Sequence, residues 1–212
     1  MEARRKREER NQISRQRILE SAAKEFAEKG YGLSSINVIC AEGDISKGIL
    51  YHYFKDKDEL YLTCIQDCFD GLTAYLKLAL SKAEASVQAQ LDQYFAARWD
   101  YFDQHPHQLR LFCEALLSAP SHLRSAIAEV RVEFDRYNIE VLDTILGQLT
   151  LRPDFSREEV IDLFRQTQDF INAQYAGQGQ TDPENGKERE QLCQRALAIL
   201  LYGVVDAERK GL

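Results

Sequence analysis

The stretch RILESAAKEFAEKGY (residues 17–31), followed by SSINVICAEGDISKGILYHYFKDKDEL (residues 34–60), decides how the rest of the chain is read. Ile18, Leu19, Ala22, Ala23 and Phe26 recur at the spacing that lines one face of a helix, with Ser14 as its expected N-cap and Gly30 as its stop. A second helix is expected from Ser34 or Ser35 to about Glu42, burying Ile36, Ile39 and Cys40. Gly43-Asp44 supplies a tight turn. Ser46 then caps a third helix carrying Ile49, Leu50 and Tyr53. Beyond Lys55-Asp56, the pairing of Asp56 with Glu59 is a capping-box pattern that starts a fourth.

Short helices joined by a tight turn describe a helix-turn-helix. The first two form an apolar platform, and the third is held outward, where its exposed side chains fit a major groove. The register turns Ser46, Lys47, Ile49, Tyr51 and His52 outward, and Leu50, Tyr53 and Phe54 inward.

These residues resemble the DNA-binding domain of the TetR family. The matching positions are Ile18-Leu19, Ala22-Ala23, Phe26, Gly30-Tyr31, Ile39, Ile45-Ser46, Gly48, Leu50-Tyr51, Tyr53-Phe54, Lys57 and Leu60. The resemblance implies that Ser35 and Ser46 hydrogen-bond phosphates from helix N-termini, that Tyr51 and His52 touch the backbone, and that Lys57 pairs with phosphate. Lys47 and Ile49 are the candidates for reading bases, an amine suiting guanine and an alkyl group the thymine methyl. Gly48 would allow close approach. The basic arm (Arg4, Arg5, Lys6, Arg7, Arg10) is expected either to reach the adjacent groove or to remain a solvated tail. One position departs from the family pattern: Asp44 stands where the turn usually has Gly, and Asp tolerates the left-handed conformation better than most residues.

Charge follows the same division. The chain of 212 residues has a net charge of −7, yet residues 1–57 hold 12 Lys and Arg against 9 Asp and Glu, and residues 58–212 hold 15 against 25. An acidic body repels DNA, so contact falls to the N-terminal quarter. The expected domains are therefore 1–57, the arm and helix-turn-helix, and 58–212, a helical effector-binding and dimerisation domain. With 44% hydrophobic and 29% charged residues the composition is globular. Neither a membrane span nor a secretory leader is read, and the expected compartment is the cytoplasm. Five scattered cysteines are expected to stay reduced.

The remaining sequence is helical throughout: about Lys57 to Leu80, Ser86 to Gln104, Ser121 to Gly147, Ser156 to Tyr175 and Lys187 to Lys210. Pro106 and Pro120 lie near helix starts, Phe155 staples onto Val160, and AGQGQTDPENGKE is a long polar loop. The expected fold class is all-α. Val160, Leu163, Phe164, Thr167, Phe170 and Ile171 mark one apolar stripe. Leu192, Ala196, Ile199, Leu200, Gly203, Val204 and Ala207 mark another. The family pattern assigns this pair to a four-helix homodimer interface, with Phe164, Phe170, Ala196, Ile199, Leu200, Gly203 and Ala207 across it. A twofold dimer would set two third helices ~34–36 Å apart, on an inverted-repeat operator.

In the middle of the chain lies an aromatic-rich region. Tyr94, Trp99, Phe102, Phe112 and Phe134 are the candidate lining of a site for a small hydrophobic or amphipathic effector, as the resemblance implies, with Arg98 and Arg131 (and Glu114) as orienting groups. Cys64 with Cys68 and His105 with His107 do not make up a metal-ligand set, and no catalytic motif is read, so neither enzyme activity nor a cofactor is expected. The reading is a repressor released from DNA by its effector. The alternative is a helical apolar-ligand-binding protein with a vestigial DNA-binding head.

Overall fold

The computed structural model describes residues 2–82, 86–176 and 183–205, with side chains at all of these except 2–4, 6–10, 173–176, 183–186 and 202. They form ten α-helices: α1 (Glu2–Leu33), α2 (Ile36–Glu42), α3 (Lys47–Tyr53), α4 (Lys57–Ala79), α5 (Val87–Gln104), α6 (Pro106–Leu117), α7 (Arg124–Val130), α8 (Val132–Leu146), α9 (Arg157–Ala176) and α10 (Pro183–Val204). The all-α expectation holds, with one isolated antiparallel bridge, Leu151 to Val205, tying the end of α10 to the connection between α8 and α9.

Several boundaries move. α1 starts at Glu2, not near Ser14, because the Ala, Arg, Lys and Glu of residues 2–10 are strong helix formers. Ser14 therefore lies inside the helix. The single helix expected from Ser121 to Gly147 is divided: a 3-10 turn (Ser121–Leu123) leads into α7, and Arg131 (φ −90°, ψ −4°) closes α7 and opens α8. α10 begins at Pro183, where the missing N–H costs nothing. This shortens the expected polar loop from its C-terminal side.

Local capping follows the sequence closely. Ser35 Oγ accepts from the Asn37 amide, Ser46 Oγ from Ile49, Asp56 Oδ1 from Glu59 and Ser86 Oγ from Ala89. At α9 the capping box is reciprocal: the Glu159 amide donates to Ser156 Oγ at 3.2 Å, and the Ser156 amide donates to Glu159 Oε2 at 2.8 Å. At α4 the box is offset, since Glu59 Oε2 takes the Lys55 amide instead.

The helix-turn-helix packs as its pattern demands. Ile18, Leu19, Ala22, Phe26, Ile39, Leu50 and Phe54 are buried, each large side chain contributing about 1.5–3 kcal/mol by leaving water. The turn between α2 and α3 depends on its two unusual residues. Asp44 adopts φ 51°, the left-handed conformation expected of it. A Cβ on Gly43 would come within 2.5 Å of Ile45 Cδ1 and 2.9 Å of Ser21 Oγ, so only glycine fits without displacement.

From the head, α4 runs into the body. Its first turns hold Tyr61 against Phe26, and farther along Phe69 meets Phe112 and Phe134. Around it, α5 packs on α10, α6 on α9, and α9 on α10. The five cysteines are buried and unpaired. Among the described residues no helix is long and apolar enough to cross a membrane.

Gly30 interrupts α1 at φ 69°, ψ 167°, a conformation open almost solely to glycine, and a Cβ there would lie 3.2 Å from Glu114 Oε1. Gly30→Ala is expected to lower stability by about 1–3 kcal/mol, measurable as a fall in the urea midpoint with an unchanged slope.

Candidate functional site

The candidate nucleic-acid interface is built on α3. Ser46, Lys47, Gly48, Ile49, Tyr51 and His52 are all exposed, Ile49 at 43% and Tyr51 at 50%, while Leu50 beneath them is fully buried. Ile49 and Tyr51 are thus large side chains left open to water on a seven-residue helix. Tyr53, expected inward, is half-buried, and its hydroxyl donates to the Asn11 carbonyl at 3.2 Å. That bond pins α3 to the N-terminal part of α1. Arg5 is exposed on the arm; the side chains of Arg4, Lys6, Arg7 and Arg10 lie outside the described residues.

Two of the expected phosphate contacts are differently placed. The Ser35 amide already donates to the carboxylate of the buried Glu25 at 2.9 Å. The anion expected at the start of α2 is thus in part supplied from within, and Ser35 keeps only its hydroxyl for an outside group. Lys57 Nζ donates to the Ser34 carbonyl at 2.8 Å and sits 4.5 Å from the centre of the Tyr31 ring. Burial holds its pKa below the usual lysine value.

Lys57 belongs to a seam between head and body. The Tyr31 amide donates to Glu114 Oε1 of α6 at 2.6 Å. The Tyr31 hydroxyl donates to Asp58 of α4, and His122 Nε2 reaches the same carboxylate at 3.2 Å. Burial and the Asp58 contact push the Tyr31 hydroxyl up to about 12, and the same bond holds Asp58 below the usual carboxylate value. Burial raises Glu114. Glu114 therefore does not line the aromatic core; it grips the backbone of the head.

In the body, Tyr94, Arg98, Phe102, Phe112 and Phe134 converge, as the sequence suggests. Phe112 lies 5.2 Å from Phe102 and 5.6 Å from Phe134, and Phe69 joins them. Trp99 is half-buried and outside this ring cluster. Arg131 is spent on Asp135, one turn along, at 2.8 Å. The rings and charges are packed together. An open groove of about 220 Å³ lies elsewhere, lined by Leu80, Lys82, Gln90, Tyr137, Glu140 and Thr144 among others.

Of the strongest electrostatic feature, the sequence reading reached Arg98 and missed Arg189 and Glu190. Arg98, Arg189 and Glu190 are 1%, 2% and 3% exposed. Arg98 Nε meets Glu190 Oε2 at 3.0 Å, and Arg189 Nη2 meets Oε1 at 2.6 Å. Arg189 Nη1 donates to Cys113 Sγ at 3.0 Å. The Tyr94 hydroxyl donates to Asn138 Oδ1 at 2.5 Å, and Asn138 Nδ2 to the Phe134 carbonyl at 2.6 Å. The two guanidiniums keep Glu190 ionised against its burial, below the usual carboxylate value. A signal existed: Arg189 stands in the i+4 row of Cys193, Leu197 and Leu201, which form the buried face of α10.

That face sets one of the expected dimer residues, Phe164, apart from the others. The inward residues of α10 are Cys193, Leu197, Leu201 and Val204, and Phe164 of α9 is buried at 2%, 6.4 Å from Phe95. Phe164 thus belongs to its own subunit's core. Left outside are Leu163 and Phe170 (63% exposed) on α9 and Leu192, Ile199 (72%) and Gly203 on α10, flanked by half-buried Ala196 and Leu200. Ala207 lies outside the described residues.

Glu190→Gln would leave two buried guanidiniums without a counter-charge, at an expected cost of about 3–5 kcal/mol. A depressed carboxylate contributes its stability above the ordinary carboxylate range and loses it as the pH falls. Denaturation followed over pH should therefore show the gap between variant and native protein narrowing in acid.

Residues 18–64 match the model of the bacterial regulatory proteins, tetR family. The HTH-type transcriptional repressor KstR2 of Mycolicibacterium smegmatis is 23% identical over 195 residues, spanning 92% of each chain. The HTH-type transcriptional repressor DhaR of Mycobacterium sp. is 30% identical over 83 residues, 39% of this chain and 42% of its own. Among solved structures, FadR of Bacillus subtilis in complex with stearoyl-CoA superposes with a TM-score of 0.68 at 17% identity, covering 89% of this chain and 98% of that one. The ketosteroid regulator KstR2 of Mycobacterium tuberculosis superposes with a TM-score of 0.58 at 25% identity, covering 89% and 93%. The head is thus matched in sequence by the tetR-family model over residues 18–64, and the whole helical arrangement is matched in fold by these solved regulators.

Proposed function

We propose that the chain is a cytoplasmic transcriptional repressor that binds an inverted-repeat operator as a homodimer and is released by a small hydrophobic or amphipathic effector. The observation that carries the reading is the outward run from Ser46 to His52 on a helix whose underside is sealed by Leu50 and Phe54. Lys47 and Ile49 are assigned to base edges, Ser46, Tyr51 and His52 to phosphates, and Gly48 to close approach. Ser35 and Lys57 contribute less than the family pattern implies, being already engaged.

The homodimer rests on the exposed row of Phe170, Leu163, Ile199, Leu192 and Gly203. A contiguous apolar face on two adjacent helices is costly in water and suits a twofold, self-complementary contact. The aromatic core is assigned to the effector, with Tyr94, Arg98, Phe102, Phe112 and Phe134 as its surroundings. Trp99 and Arg131 are placed at its margin. Release needs an effector that prefers one arrangement of the body over another. Helix α6 is the physical link, since Cys113 touches the buried charges and Glu114 holds Tyr31 of the head.

Selection from random duplexes, followed by anisotropy titration at several salt concentrations, tests the reading. An inverted repeat is expected, with Tyr51→Ala and Lys47→Ala each weakening binding by about tenfold or more. Ile199→Glu is expected to shift the protein to monomers in sedimentation and to weaken operator binding with it. If no duplex is enriched and the substitutions change nothing, the operator reading fails, and the ligand-binding body with a vestigial head takes its place.

A further inference from the structure

The buried cluster in the body does not balance its charge. Two guanidiniums, Arg98 and Arg189, face one carboxylate, Glu190, and all three are removed from water. The other polar groups on them are the Tyr94 hydroxyl, 3.5 Å from Arg98 Nη1, and the Cys113 thiol on Arg189. Burial pushes that thiol upward even with Arg189 beside it, so it remains a neutral partner. Among the described residues, Arg189 Nε is also a buried donor without an acceptor. A buried cation with an empty donor is expensive, and such an arrangement persists where something else completes it.

The surroundings restrict what that can be. Arg189 lies 5.5 Å from the centre of the Phe102 ring, and Arg98 lies 5.5 Å from that of Phe112. These rings continue into Phe69 and Phe134. A group that satisfies Arg189 therefore meets apolar rings along the rest of its body, and these packed rings must part to admit it. The excess is a single positive charge, which a monoanion cancels and a dianion overshoots.

We propose that Arg189 is the anchor of an effector carrying one carboxylate on an apolar body, its oxygens accepting from the open Nε–H of Arg189 while Arg98 stays paired with Glu190. The inference deepens the effector reading above and rests on it only for the consequence at DNA; binding of the carboxylate stands or falls on its own. Because Arg189 also holds Cys113 of α6, next to Glu114, a carboxylate that draws the guanidinium toward itself acts on the helix that grips the head.

The test uses the full-length protein and straight-chain carboxylates from butyrate to palmitate, together with benzoate and phenylacetate. Each is paired with its neutral primary amide, and dodecyl phosphate serves as the dianion. Calorimetric titration is expected to give one class of carboxylate bound at least about tenfold tighter than its amide and tighter than the phosphate. Arg189→Met keeps the Arg98–Glu190 pair and is expected to remain folded, as checked by thermal denaturation, and to bind acid and amide alike. Arg189→Lys is expected to recover part of the preference. Equal affinity of acid and amide in the native protein, absence of binding across all the carboxylates, or a preference that survives Arg189→Met overturns the proposal. Anisotropy on operator DNA keeps the two readings apart. A carboxylate bound at Arg189 without DNA release leaves the anchor standing and removes the inducer, whereas release by neutral compounds alone keeps the regulator and removes the anchor.

Discussion

The backbone amide of Tyr31 and the carboxylate of Glu114 hold the two parts of this protein in register. The bond exists because Gly30 takes a conformation closed to other residues, which swings the end of α1 toward α6. Around it, the Tyr31 ring meets Tyr61 edge to face and carries Lys57 on its face, while its hydroxyl reaches Asp58. One aromatic side chain thus meets α4, and its backbone meets α6. The head cannot rotate against the body without breaking a charge-assisted hydrogen bond that is partly shielded from water, where such bonds are strongest.

The same helix touches both centres of interest. Cys113 and Glu114 are neighbours in sequence on α6 with different partners, one the buried guanidinium of Arg189 and the other the head. A shift of α6 by a fraction of an ångström is felt at both ends, because packed interiors transmit displacement instead of absorbing it. The coupling follows from rigidity within one short element, and it asks nothing of the rest of the molecule.

Much of this was legible in the sequence, and the failures have physical causes. The helix-turn-helix was readable because its signals agree: capping serines, a Gly-Asp turn and apolar spacing all specify one register. The aromatic convergence of Tyr94, Phe102, Phe112 and Phe134 was readable for the same reason. α10 is apolar on two sides, and the sequence reading marked only one of them: the row through Leu192, Ala196, Ile199 and Gly203, read as facing a twofold mate, is left outside, while the row through Cys193, Leu197 and Leu201 is covered within the subunit. Arg189 and Glu190 went unread with that second row, because their charges argue for a surface unless each is seen as the other's partner. Lys57 and Ser35 were assigned by resemblance, and no spacing could reveal that Ser34 and Glu25 had engaged them first.

The carboxylate of Glu25 at the start of α2 has a consequence for how tightly solution conditions would govern the protein. Every phosphate a protein neutralises releases condensed counterions, steepening the fall of affinity with salt by about 0.9 in a double-logarithmic plot. An internal anion at α2 and an internal acceptor for Lys57 release none. On the proposed reading, a head built this way would give up part of its sequence-independent attraction to the polyanion, on the right duplex and the wrong one alike, and its hold on DNA would answer less steeply to salt.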